Sequence, residues 1–137
     1  MKRAKENGLR WLRQAEHNFQ VAKKHIKDND FSDVCFMAEQ TAQVALKAFL
    51  YFKGERFVNV HSVTELIKRI GESSENFIAL LEMATKLDQY YYIPTRYPDA
   101  LAGNVIPAEV YKREQAKEAI EIAQKILDLV KTKMRGK

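Results

Sequence analysis

The chain has 137 residues, 46% hydrophobic and 30% charged, with a formal charge of +5, one cysteine, five glycines and three prolines. That balance suits one folded domain over residues 1–137; it excludes a disordered chain, a turn-rich all-β fold and an internal disulfide. MKRAKENGLRW at the start is basic without an apolar stretch, and no run approaches the ~20 apolar residues that cross a bilayer. Neither a secretory signal nor a membrane contact is expected, and the cytoplasm is the expected compartment.

The first helix is predicted over residues 4–27, with Leu12, Ala15, Phe19, Ala22 and Ile26 as its buried stripe and Leu9 and Trp11 near its start. The charge is concentrated here. Residues 1–27 hold eight Lys or Arg against Glu6 and Glu16, a net +6, while the remainder of the chain sums to −1. A basic helix face suits an anionic partner such as RNA, although a solvated lysine-rich face is the commoner case.

Asn29 and Asp30 break the chain before a second helix over residues 31–54, the element around which the others are expected to pack. Phe31, Cys35, Ala38, Ala42, Ala45, Phe49 and Phe52 recur in steps of four and three, and Val34, Leu46 and Leu50 widen the apolar face. The alanines allow close helix approach. Asp30 or Ser32 can cap its start, and Gly54 suits a left-handed residue beyond its end. Cys35 reads as a small core residue rather than a nucleophile.

A connector follows, whose Phe57 and Val60 can fold back over the core. Ser62 and Glu65 fit a capping box for a short third helix buried through Val63, Leu66, Ile67 and Ile70 and ended by Gly71. A fourth helix starts near Ser74 and presents Phe77, Leu80, Leu81, Ala84, Leu87 and Tyr91. It runs into YYYIPTRYPD, residues 90–99, where Pro94 and Pro98 exclude helix at the residues before them. The last helix is predicted to begin between Pro107 and Lys112 and to use Ala116, Ile120, Ala123, Leu127, Val130 and Met134 as a seam for one or two partner helices.

Residues suited to chemistry are few. His17 and His25 read as surface histidines, and His61 reads as a residue that packs or hydrogen-bonds at a helix entrance; no metal is expected. Glu39, Gln43 and Lys47 lie four apart on one face of the second helix, beside Gln40. A solvated stripe is the favoured reading of that row, a binding site the sharper one. If the Tyr-rich segment packs there, Arg96 can meet Glu39 or Gln43, with tyrosines to stack a base and Asp99 to orient the guanidinium.

WLRQAEHNFQVAKK, CFMAEQTAQVALKAFLYFKG, HSVTEL and YYYIPTRYPDA, in that order, resemble the HEPN domains of prokaryotes over nearly the whole chain. The resemblance implies a bundle of four or five helices, commonly dimeric, in a family of ribonucleases, toxins, and nucleotide-binding or non-catalytic proteins, often encoded beside a minimal nucleotidyltransferase. Active ribonucleases of the family follow an arginine, after four to six residues, with a histidine. Arg96 resembles that arginine, but Leu101, Ala102 and Gly103 occupy the histidine positions, and Gln43 stands where the family usually has an acid. Arg56 with His61, and Arg10 with His17, match the spacing outside the family's location.

The expectation is therefore an all-α, up-and-down bundle of four to five helices acting as a homodimer. It binds nucleotide or RNA, a nucleotidyltransferase partner, or both, in a toxin–antitoxin-like setting. Arg96, Tyr97, Asp99, Tyr92, Glu39, Gln43 and Lys47 are the binding candidates, and no cofactor is expected. Standard ribonuclease catalysis is not expected, because arginine is too basic to move protons near neutral pH. A divergent metal-independent endoribonuclease using Arg96 and His61 is the alternative, and a structural dimerisation module the third reading.

Overall fold

The computed structural model describes residues 2–71, 75–90, 101 and 103–135. In chain order they form α1 (Lys2–His25), a 3-10 turn (Ile26–Asp28), α2 (Phe31–Phe52), α3 (Val63–Gly71), α4 (Glu75–Ile78), α5 (Leu81–Tyr90), α6 (Pro107–Val110) and α7 (Arg113–Met134). Among the described residues there is no strand, so the fold is the expected all-α bundle. Five longer helices carry it, and α4 and α6 are single turns. No described helix is long and apolar enough to cross a membrane.

α2 is the axis. Fifteen of its 22 residues are buried, and it packs mainly on α1 and α7, with α3, α5 and α6 around it. Ala38, Ala42, Ala45 and Ala48 are fully enclosed, as is Cys35, the core residue its position predicted. α1 approaches so closely that a Cβ placed on Gly8 would lie 2.6 Å from the Phe52 Cβ and 2.7 Å from its Cα. Only glycine fits that crossing. Phe49 and Phe77, with ring centroids 5.1 Å apart, tie α2 to α4.

Both ends of α2 are instructive. Asp30 stands at the N-cap without a side-chain cap bond, and Ser32 lies inside the helix; instead the Asp30 carboxylate turns towards His25 Nδ1, 3.6 Å away. At the other end the Gly54 amide donates to Tyr51 O and the Glu55 amide to Leu50 O, with Gly54 at φ 110°. This is the paired bonding of a Schellman stop, in which the left-handed residue is the predicted glycine.

Two expectations need correction. Phe57 does not fold over the core: it is 74% exposed, and its neighbour Val58 is buried instead, its amide donating to Tyr51 Oη at 3.3 Å. Side chains alternate along an extended connector, so burying one exposes the next. The fourth helix is not continuous either. It breaks at Ala79–Leu80, where the Leu80 amide reaches only to Phe77 O, and α5 restarts at Leu81. Gly71 lies against the Ile78 side chain at that corner. In α7, Ala119, Ile122 and Ile126 are buried beside the predicted Ala116, Ala123, Leu127, Val130 and Met134. That second stripe lets one helix face α1, α2 and α5.

Candidate functional site

The polar row on α2 is not a solvated stripe. Glu39 has no exposure, Gln43 has 3% and Lys47 has 7%. Steps of four keep the three on one side of the helix, and that side is covered by the entrance to α3. Gln43 Nε2 donates to Glu39 Oε2 at 2.7 Å and to the His61 carbonyl at 2.7 Å. Gln40 Nε2 donates to Glu39 Oε1 at 2.9 Å. Lys47 Nζ lies 3.2 Å from His61 Nδ1; when it donates there, the proton of a neutral imidazole sits on Nε2.

α3 begins on a carboxylate delivered from α5. Asp88 accepts from Ser62 Oγ (2.8 Å) and from the amides of Val63 (2.9 Å) and Thr64 (2.8 Å). The Glu65 amide donates to Ser62 Oγ at 3.1 Å, one half of the expected capping box. Two otherwise unpaired amides thus find an acceptor, and a negative charge sits at the positive end of the helix dipole. Asp88 was not legible as a site residue, because nothing local marks a carboxylate as the cap of a helix some 25 residues earlier.

The electrostatics follow from burial. The Glu39 carboxyl is pushed up to about 8, first by loss of solvent and then by the Asp88 charge, against the opposing pull of the Gln43 and Gln40 hydrogen bonds and of Lys47. Near neutral pH it therefore holds its proton for most of the time. Lys47 is lowered from the usual lysine value by the same loss of solvent, which the Glu39 charge counters. The row offers a proton-holding acid at its buried end and a lysine–histidine pair at its exposed end, with His61 at the surface.

The structure thus brings together Glu39, Gln43, Lys47 and His61 from the predicted candidates, keeps Gln40 beside them as expected, and adds Asp88. Tyr92, Arg96, Tyr97 and Asp99, and with them the expected contact of Arg96 with Glu39 or Gln43, lie outside the described residues. Arg56 lies at the surface, and His61 turns its Nδ1 to Lys47. Among the described residues, His25, Asp28 and Asp30 are one exposed group whose ligand atoms lie within 4.8 Å of one another. His25 Nδ1 is 3.5 Å from Asp28, the geometry of an ordinary surface ion pair.

Comparison with known proteins agrees with this architecture. The HEPN domain family model matches residues 9–133. A Methanocaldococcus jannaschii protein named "Putative toxin MJ1304" is 27% identical over 93% of this chain and 88% of its own. Human sacsin is 31% identical over 93% of this chain, which spans only 3% of that protein. A crystal structure from Thermus thermophilus superposes with a TM-score of 0.85 at 38% identity, over 93% of this chain and 98% of that one. The crystal structure of an archaeal HEPN homologue gives 0.75 at 30% identity with the same coverages.

Proposed function

This chain belongs to the HEPN domain family, and from that premise we propose that it is a nucleotide- or RNA-binding member. It works as a homodimer in a toxin-like setting, with a minimal nucleotidyltransferase as its protein partner. The observation that supports binding is the enclosed polar row of Glu39, Gln43 and Lys47 joined to His61. Burying a carboxyl, an amide and an ammonium in a helix whose buried face is otherwise mostly apolar costs stability that apolar side chains would not. Here the groups are paired into one network with a cationic, surface-reaching end. In this reading Lys47 and His61 form the phosphate-facing edge, Arg96 holds a phosphate, Tyr92 and Tyr97 stack or shape the pocket, and Asp99 orients Arg96.

The toxin-like setting rests on the archaeal relative's name. One feature favours a second reading, a divergent endoribonuclease that needs no metal. His61 is at the surface with Nδ1 beside Lys47; in the tautomer in which Nδ1–H donates to an uncharged Lys47 amine, Nε2 keeps its lone pair and can take a proton from a ribose hydroxyl.

One experiment separates the two. Purified protein, Arg96→Ala and His61→Ala are given labelled single-stranded RNA with chelator present, and both binding and cleavage are followed. The binding reading expects RNA held by the wild type, released about tenfold more readily by Arg96→Ala, and left intact by all three, with unchanged far-ultraviolet circular dichroism. Cleavage by the wild type that both variants lose establishes the endoribonuclease. Equal RNA affinity in all three refutes the site.

A further inference from the structure

At the end of the bundle beyond Lys47, the first two turns of α1 and the connector after α2 form a cleft of about 580 Å3, lined by Arg3, Arg10, Arg56 and Tyr51 together with two carboxylates, Glu6 and Glu55, of which Glu55 is neutralised by Arg69. A second hollow of about 300 Å3, formed by Arg10, Trp11 and Gln14, lies on the other side of the shared Arg10 side chain. Arg3, Asn7 and Arg10 sit at i, i+4 and i+7, one face of α1. We propose that these two hollows are a track for single-stranded RNA, in which Arg3, Arg10 and Arg56 contact successive backbone phosphates and Trp11 offers its ring to a base.

The walls are built rather than incidental. Gly8 seats α1 on Phe52, the Schellman stop turns the chain at Gly54, and Glu55, the residue before Arg56, is held by Arg69 of α3. Trp11 is braced against Tyr51, with ring centroids 4.9 Å apart. None of Arg3, Arg10 and Arg56 has an ion-pair partner among the described residues. The first turn of α1 carries no acid, yet Lys2, Arg3 and Lys5 crowd the positive end of its dipole, where cations are unfavourable and an anion is stabilising.

Shape selects the ligand. Arg3 and Arg10 are separated by about 10 Å along the helix axis, a spacing at which each can meet its own phosphate of a strand. An aromatic ring beside a basic groove is the usual means of holding single strands without reading sequence.

The inference rests on the RNA-binding reading above but uses different residues, so the two can fail separately. A fluorescein-labelled single-stranded RNA 12-mer is titrated against the wild type, Arg3→Gln, Arg10→Gln, Arg56→Gln, Lys24→Gln and His61→Ala at several salt concentrations. The emission of Trp11, the one tryptophan, is followed with unlabelled RNA. The track predicts quenching of Trp11, and for each arginine variant a weaker complex whose salt slope falls by about 0.7, the share of one single-strand phosphate. Lys24→Gln, on an exposed part of α1 away from the cleft, keeps the wild-type slope.

Wild-type affinity in all three arginine variants, with loss only in His61→Ala, overturns the track and leaves the polar-row site standing. Equal weakening in Lys24→Gln overturns it in favour of diffuse attraction. Displacement of the RNA by ATP with the same arginine dependence makes the ligand a free nucleotide and overturns the strand assignment. No RNA bound by the wild type removes both readings.

Discussion

Replacing Glu39 by glutamine keeps the size and planarity of the side chain and removes its ability to ionise. With an ordinary value of 4.5 and a folded value of about 8, the native state binds this proton more tightly than the unfolded chain does. Stability from that difference is complete below pH 4.5 and is lost as the pH rises to about 8. At about 1.4 kcal/mol per pH unit the whole effect has a ceiling of about 5 kcal/mol, of which about 4 kcal/mol falls between pH 5 and pH 8.5. The glutamine pays a fixed cost instead, since its oxygen accepts from only one of the donors Gln40 and Gln43 while its NH2 faces the other, and one hydrogen bond of about 1 kcal/mol is given up. Urea unfolding at matched protein concentration, followed by circular dichroism from pH 4 to pH 8.5, should show the two proteins exchanging rank at about pH 5. Wild type is the more stable in acid, Glu39→Gln the more stable above neutrality. Lys47, lowered by burial, gives a slope of the opposite sign between its own folded value and 10.5. A wild-type minus variant difference that stays constant across the range would refute the argument, because it would place the carboxylate in contact with water.

Two further perturbations test other parts of the structure. Gly8→Ala gains about 1 kcal/mol of helix propensity but drives a methyl group into the Phe52 backbone; overpacking of about 1–3 kcal/mol should win, so thermal unfolding should occur at a lower temperature. Asp88→Ala removes the acceptor of Ser62 Oγ and of two amides and should cost about 2 kcal/mol in urea unfolding, with much of the loss restored by Asp88→Asn.

What could be read in advance followed from local periodicity. The α2 stripe, the four apolar residues of α3 and the glycine stop after α2 are each written within a few neighbouring residues. The break at Ala79–Leu80 was not, because the apolar spacing of Phe77, Leu80, Leu81 and Ala84 runs through it unchanged. Glu39, Gln43 and Lys47 were recognisable as a row but not as a buried one: three polar residues four apart look alike on a wet face and under a covering helix. A clue was present in the width of the α2 apolar surface, for a helix lined by Val34, Cys35, Ala38, Ala42, Leu46 and Phe49 leaves little of its circumference to solvent. Asp88 and Gly8 acquire meaning only from distant residues. The basic excess of the first helix is legible in the sequence, whereas the grouping of Arg3 and Arg10 with Arg56 depends on how the chain turns at Gly54.

The capping of α3 by Asp88 also bears on the order in which the chain folds. Nine residues make a helix too short to persist in water, and its first amides are satisfied by a side chain that arrives only when α5 docks. Nucleation of α3 is thereby deferred until tertiary closure, behind the α1–α2 hairpin, whose contacts are local in sequence. α3 and α5 should then open together as one cooperative unit in native-state hydrogen exchange, with a smaller opening free energy than α2. The bonds that hold His61 beside Lys47 belong to that unit, so the surface end of the polar row can be released without unfolding the core beneath it.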